Sequence, residues 1–215
     1  SSLIFFNQMN RIFMNDFKER DFFHVGMREF QDFFDGRRTA EAIEKNRKHY
    51  EFWEDEKKLI KNSSFFFIAS SWNGYIDCNI KSGDPGFVKI IEKGIIEYPE
   101  YDGNSMYRTA GNISKNPNVA LLFVKFDGKS RRIRINGQAT IHNDNKSIEN
   151  HFGAKFVVRI SCEIYPNCPR YIPNLEKNKP SIYTPRKGKG VPPVPEWKER
   201  DYIKNILPKN DPHKK

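Results

Sequence analysis

The alternation of apolar and polar positions divides the chain into a helical start, a strand-rich middle and an irregular end. Residues 65–70, Phe-Phe-Phe-Ile-Ala-Ser, form an apolar run with the length and composition of a buried strand. Asn73-Gly74 follows, the strongest short hairpin signal, and it predicts residues 75–80 as the return strand. Comparable runs predict strands over 87–91, 94–98, 119–126, 130–141 and 157–165, with turns at Glu92-Lys93-Gly94 and Asp127-Gly128. In the long run 130–141, Arg132, Arg134, Asn136 and Gln138 share one face and Ile133 and Ile135 the other. One helical stretch, 105–116, interrupts the strands and stops at Pro117.

Upstream, residues 22–31 lead into a helical pattern extending to Tyr50, with Thr39 as a cap and Glu41 in the first turn. Residues 55–62 give another helical piece, with Leu59 and Ile60 facing inward. His24 stands beside two Phe and reads as a packed surface residue rather than a ligand. From Pro166 the texture changes: 166–171 is a stiff turn, and 187–195 is an extended proline-rich segment. A short helix is expected from Glu196 towards Leu207, and disorder over 208–215. This arm, with Trp197, either docks on a neighbouring subunit or wraps its own barrel.

The fold class is therefore mainly β with flanking helices, a six- to seven-stranded antiparallel barrel without βαβ units. The expected organisation is an N-terminal extension over 1–22, the barrel with its N-terminal helices over 23–172, and a basic arm over 173–215. Met14 reads as the natural start.

Composition narrows the picture. No apolar run approaches the ~18 residues of a membrane span. Cys78, Cys162 and Cys168 give neither a disulfide framework nor a zinc spacing, which points to a reducing, cytoplasmic setting. Cys168 beside Arg170 reads as a small residue in a tight turn. The formal net charge is +10, and much of the excess falls between Lys177 and Lys215, where it reads as a solvated basic end. Nucleic acid is the sharper reading of that charge, but no aromatic platform is interleaved with the arginine-bearing strand. Ser/His/Asp triad logic is absent as well.

Two glycine-rich joints carry the candidate chemistry. The first is Lys81-Ser82-Gly83-Asp84-Pro85-Gly86, followed by Phe87 and Val88. Its glycines and proline fix a turn and leave N–H groups unscreened, while Lys81 and Ser82 add a cation and a hydroxyl, the equipment of a phosphate cradle. The second joint, Tyr101-Asp102-Gly103-Asn104-Ser105, opens the predicted helix, whose free N–H groups would favour an anion. Glycine-rich joints between strands are also commonly no more than turns.

Seven blocks in order resemble the pyridoxamine 5′-phosphate oxidase-related, FMN-binding split-barrel family. They are residues 23–31, 78–88, 101–106, 111–119 (Gly-Asn-Ile and Asn-Pro-Asn-Val), 131–137, 165–172 and 192–198, spanning roughly residues 20–208. The resemblance implies a split barrel, a homodimer and one FMN at each of two interface sites. It carries Lys81, Ser82, Phe87 and Val88 onto the first contact segment. Asn104 and Ser105 fall where the better-known oxidases hold the phosphate with a basic pair, so the charge here would come from Lys81, Arg108 or Arg134. Arg132 falls where those oxidases often carry a glutamine facing the flavin. The Arg-containing ending that recognises vitamin B6 has no counterpart; Trp197-Lys198-Glu199-Arg200 stands in a proline-led setting. The expectation is a flavin-dependent oxidoreductase acting on a small molecule other than vitamin B6, with substrate, electron donor and acceptor unidentified. A flavin-binding or sensing module without turnover and a basic nucleic-acid-binding barrel are the alternatives, and a deazaflavin or haem is an alternative ligand.

Overall fold

The computed structural model describes residues 20–101, 105–127, 131–165, 171–175, 182, 191–207, 209, 211 and 213–214. Their elements, in chain order, are helices α1 (Val25–Phe33), α2 (Arg37–Arg47) and α3 (Glu54–Lys61), strands β1 (Phe65–Trp72), β2 (Tyr75–Ser82), β3 (Lys89–Glu92) and β4 (Ile95–Glu100), helix α4 (Arg108–Ile113), strands β5 (Asn118–Lys125) and β6 (Arg131–His142), helix α5 (Asn145–Glu149), strand β7 (Phe156–Tyr165) and a 3-10 turn at Glu196–Glu199. Among the described residues the seven strands make one sheet in the order β2-β1-β5-β6-β7-β4-β3.

The local reasons are visible. Asn73 and Gly74 both adopt positive φ, 46° and 82°, which matches the twist of the β1–β2 hairpin. Gly86, at φ 93°, follows Pro85 in a turn closed by Phe87 N donating to Asp84 O at 2.9 Å. Gly94, at φ 69°, turns β3 into β4. The sheet curls until its two sides meet. Strand β2 is one edge and β4 lies next to the other, yet Lys81 Nζ donates to Glu100 Oε1 at 2.5 Å. Inside the curl Phe66 packs on Tyr98, Phe123 and Phe87, with ring centroids 5.1, 5.0 and 5.9 Å away. Burying each such ring contributes about 1.5–3 kcal/mol. The expected barrel is thus the observed architecture.

The described residues group into two compact units. One comprises residues 20, 49–123 and 133–164; it holds the core just described and a polar cluster in which Glu97 and His151 are buried and Arg159 is half-buried. The other draws on 21–48, 124–132 and 165–215. In it α1 and α2 form a helical pair tied by Arg28 to Glu41 (3.3 Å) and by both oxygens of Asp32 to Arg37 (2.5 Å each). Val25, Phe30 and Phe33 of α1 and its C-cap residue Phe34 are exposed.

Several expectations need correction. The helical pattern to Tyr50 is broken at Asp35, whose φ is 54°. Helix α2 starts two residues before Thr39; Thr39 lies within it, and its hydroxyl donates to Ile206 O at 2.5 Å. His24 is the cap of α1, its Nδ1 accepting from Met27 N at 3.4 Å. The stretch 105–116 is helical only over Arg108–Ile113, because Ser105 and Tyr107 are left-handed, with φ 61° and 47°. The helix from Glu196 ends at Glu199. In the stretch expected to be disordered, Asp211 instead accepts from the buried Lys198 ammonium, and His213 Nε2 lies 2.7 Å from Pro192 O. Asn104 and Cys168 lie outside the described residues.

Candidate functional site

Strand β2 wears its polarity inside out. Asp77, Asn79 and Lys81 stand opposite Ser70, Ile68 and Phe66 of β1, all three of which are buried. Opposed residues of an antiparallel pair share a face, so the polar side chains of β2 turn towards the interior and Ile76, Cys78 and Ile80 turn out. Ile76 is 75% exposed and Ile80 52%. An interior polar row must find partners; helix α4 supplies those of Asp77 and Asn79, and Glu100 of β4 supplies that of Lys81. Asp77, 8% exposed, accepts from Arg108 Nε at 3.0 Å and from Thr109 Oγ1 at 2.9 Å. Asn79 Nδ2 donates to Thr109 Oγ1 at 3.3 Å. One turn further on, Asn112 Nδ2 donates to Ser70 Oγ at 3.2 Å and fixes α4 against β1.

Where β2, the end of β4 and the approach to α4 converge, a cleft of about 110 Å³ opens. Its walls include Asn79, Lys81, Glu100, Ser105, Tyr107 and Arg108. Lys81 and Arg108 each already hold a carboxylate, Glu100 and Asp77 respectively. Two left-handed non-glycine residues, Ser105 and Tyr107, form one wall. Such backbone costs about 1–3 kcal/mol per residue and gathers at ligand sites. Lys155 ties two of the lining residues together: its N donates to Glu100 O at 2.9 Å and its Nζ to the Tyr107 hydroxyl at 3.4 Å.

The two joints singled out in the sequence therefore meet. Lys81 from the first and Ser105 and Arg108 from the second line the same cleft. Ser82 lies at the exposed end of β2, opposite Phe65. Phe87 and Val88 send their side chains into the core, so a ligand can meet only their backbone. The first joint is also less of a cradle than its glycines suggested. Gly83 N donates to Ser64 O at 2.9 Å, and a Cβ at Gly83 would stand 2.8 Å from the Phe87 ring, so this glycine makes room for packing. Arg132 and Arg134 sit on β6, three strands from β2 in the sheet order and outside the cleft wall. Asn79, Glu100, Tyr107, Thr109 and Lys155 were missed by sequence reasoning. Asn79 and Asp77 did leave a signal, as alternating polar positions within a strand; Glu100 and Lys155 left none. Among the described residues no group of three or more His, Cys, Asp or Glu is arranged to hold a metal ion.

The family model described as pyridoxamine 5′-phosphate oxidase matches residues 52–175, more than half of the chain. The chain belongs to the pyridoxamine 5′-phosphate oxidase family. The matched span contains all seven strands of the sheet and the whole cleft wall. Solved structures with some likeness include a candidate pyridoxamine 5′-phosphate oxidase from Lactobacillus delbrueckii, at 20% identity over 56% of this chain and 99% of that one, with a TM-score of 0.45. HupZ of Group A Streptococcus matches at 19% identity over 52% of this chain and 90% of that one, with a TM-score of 0.41. An FMN-binding protein from Syntrophomonas wolfei matches at 13% identity over 66% and 93%, with a TM-score of 0.40. These likenesses are too distant to assign a function. None of the curated proteins matches the chain.

Proposed function

We propose that this member of the pyridoxamine 5′-phosphate oxidase family is an FMN-binding protein that works as a homodimer and passes electrons to or from a small molecule other than vitamin B6. The observation that carries the reading is the convergence of Lys81, Ser105 and Arg108 on one cleft between β2 and α4. The side chains there fit the group. Lys81 and Arg108 offer cations to a phosphate, and the Ser105 hydroxyl and Asn79 amide suit the hydroxyls of a ribityl chain. When bound, the flavin supplies the two-electron chemistry, and the protein supplies position and charge. In this reading Arg132 and Arg134 of one copy reach the cleft of the other and stabilise negative charge on the reduced ring.

The dimer draws support from the outward face of β2-β1-β5. Ile80 and Cys78 of β2 stand opposite Phe67 and Ala69 of β1, which in turn oppose Leu122 and Ala120 of β5, and Ile76 stands opposite Ser71. This is a largely apolar outward surface that runs from an edge strand across two more, of the kind that a second copy covers. Nothing in the family's fold by itself names the substrate.

An absorbance spectrum of the purified protein, followed by ligand release and mass measurement, tests the reading. Flavin bands and a released mass equal to FMN are expected. A colourless protein that does not take up added FMN would overturn it, and a haem or deazaflavin mass would replace the ligand. Bound FMN that no nicotinamide donor or other reductant reduces would leave a binding module instead of an oxidoreductase.

A further inference from the structure

We infer that Glu100 occupies the anion seat of the cleft and sets its preference for phosphorylated over unphosphorylated ligands. The inference rests on the reading of the cleft as a flavin phosphate site. Lys81 is the cation that the first joint brings to this cleft, and Glu100 Oε1 accepts from its ammonium at 2.5 Å. Both side chains are mostly enclosed, 11% and 21% exposed, so their pairing is less screened than on an open surface. The second cation, Arg108, is held by Asp77, which Thr109 also grips. Each of the two cations is thus already matched by a carboxylate, and an arriving anion meets neither of them uncompensated.

The two carboxylates differ in how firmly they are held. Asp77 takes two donors and is buried beneath α4. Glu100 has its backbone clamped, opposite Phe156 in the β4–β7 ladder and through Lys155 N to its carbonyl, while its side chain ends in the cleft itself. A ligand phosphate arriving at Lys81 displaces a carboxylate of like charge, not water. Specificity is then a difference between two anions competing for one ammonium. A ligand without the phosphate leaves the Lys81–Glu100 pair in place and is unaffected by it.

FMN and riboflavin differ only by the phosphate, and the ratio of their affinities isolates this term. Glu100→Gln keeps the side-chain length and removes the competing charge. It is expected to raise the FMN-to-riboflavin affinity ratio about tenfold, a modest ion pair's worth plus relief of like-charge repulsion. In a Lys81→Gln background the same substitution is expected to lose the ion-pair part of that gain and to keep the part that comes from like-charge repulsion. Glu100→Asp, which draws the carboxylate back by one methylene, is expected to fall between, and it serves as the readout should Glu100→Gln melt early in a thermal scan. An unchanged or lowered ratio in Glu100→Gln overturns the inference and would make Glu100 a support for Lys81. If the wild type prefers FMN and the ratio does not move, only this inference falls. If neither the wild type nor Glu100→Gln binds any flavin, the reading of the cleft falls with it. Binding gained only in Glu100→Gln would support both.

Discussion

The Nε2 of His151 lies 3.0 Å from Oε1 of Glu97, and both side chains are all but sealed from water. The other carboxylate oxygen accepts from Arg159 Nε at 3.0 Å and Nη2 at 2.7 Å. Burial holds the His151 imidazole below its ordinary value of 6.5; the bond to Glu97 opposes this and the charge of Lys89 from β3 adds to it. Burial, with the charge of Arg159, lowers His142 in the same direction. A group whose folded value is depressed stabilises the fold fully above its unfolded value, and this stability is lost as pH falls through the folded value. Thermal midpoints are therefore expected to drop by about 5 °C or more between about pH 7.5 and pH 5.5. His151→Gln should flatten that slope. A midpoint that rises on acidification would refute the assignment.

The Tyr98 hydroxyl is fully buried and has no hydrogen-bond partner among the described residues. Burial pushes its phenol well above the usual range, so it stays neutral. An unpaired buried hydroxyl costs roughly 1–3 kcal/mol, and the ring does the packing against Phe66. Tyr98→Phe is expected to stabilise the protein by about 1 kcal/mol in urea unfolding. Destabilisation would mean that the hydroxyl does have a partner.

Two glycines of positive φ should respond differently to alanine. Gly74, at φ 82°, has open space around it, whereas a Cβ on Gly94 would stand 1.8 Å from Tyr50 O. Gly74→Ala is expected to cost about 1 kcal/mol from backbone conformation alone. Gly94→Ala adds a collision with fixed backbone and should cost about 3 kcal/mol or more. Equal costs in urea unfolding would show that the turn relaxes away from Tyr50.

If the outward face of β2 is the seam between two copies, Ile76→Glu with Ile80→Glu should give a monomer by light scattering. Both positions are exposed in the single chain, so its own stability should change by less than about 1 kcal/mol. A dimer that persists would move the seam elsewhere.

Much of the barrel was legible because turns have local chemistry. Asn73-Gly74, Lys93-Gly94 and the proline after α4 each declare themselves within a few residues, and strands β1, β5, β6 and β7 lie within a residue or two of their expected limits. The facing of β2 was harder. Its alternation of Ile76, Cys78 and Ile80 with Asp77, Asn79 and Lys81 looks like an ordinary half-buried strand with the apolar side inward. The structure inverts it, because α4 arrives from some thirty residues downstream with donors for Asp77 and an acceptor for Asn79. Periodicity gives two faces but does not say which is inside. The cleft shows the same limit. Lys81, Ser105 and Arg108 could be picked out by type, but Glu100 could not, since its pairing with Lys81 exists only once the two sides of the sheet have met. Phe87 and Val88, contact residues by resemblance, place their side chains in the core, so any contact they make with a ligand is through the backbone.

The strand order also weighs on synthesis. Strand β4 is complete at Glu100, but the neighbour it pairs with, β7, begins about 55 residues later at Phe156. On a ribosome adding about 5–20 residues per second, the β3–β4 hairpin waits roughly 3–11 s with Ile96 and Tyr98 uncovered. Force-sensitive arrest sequences should register closure only after β7 has left the exit tunnel.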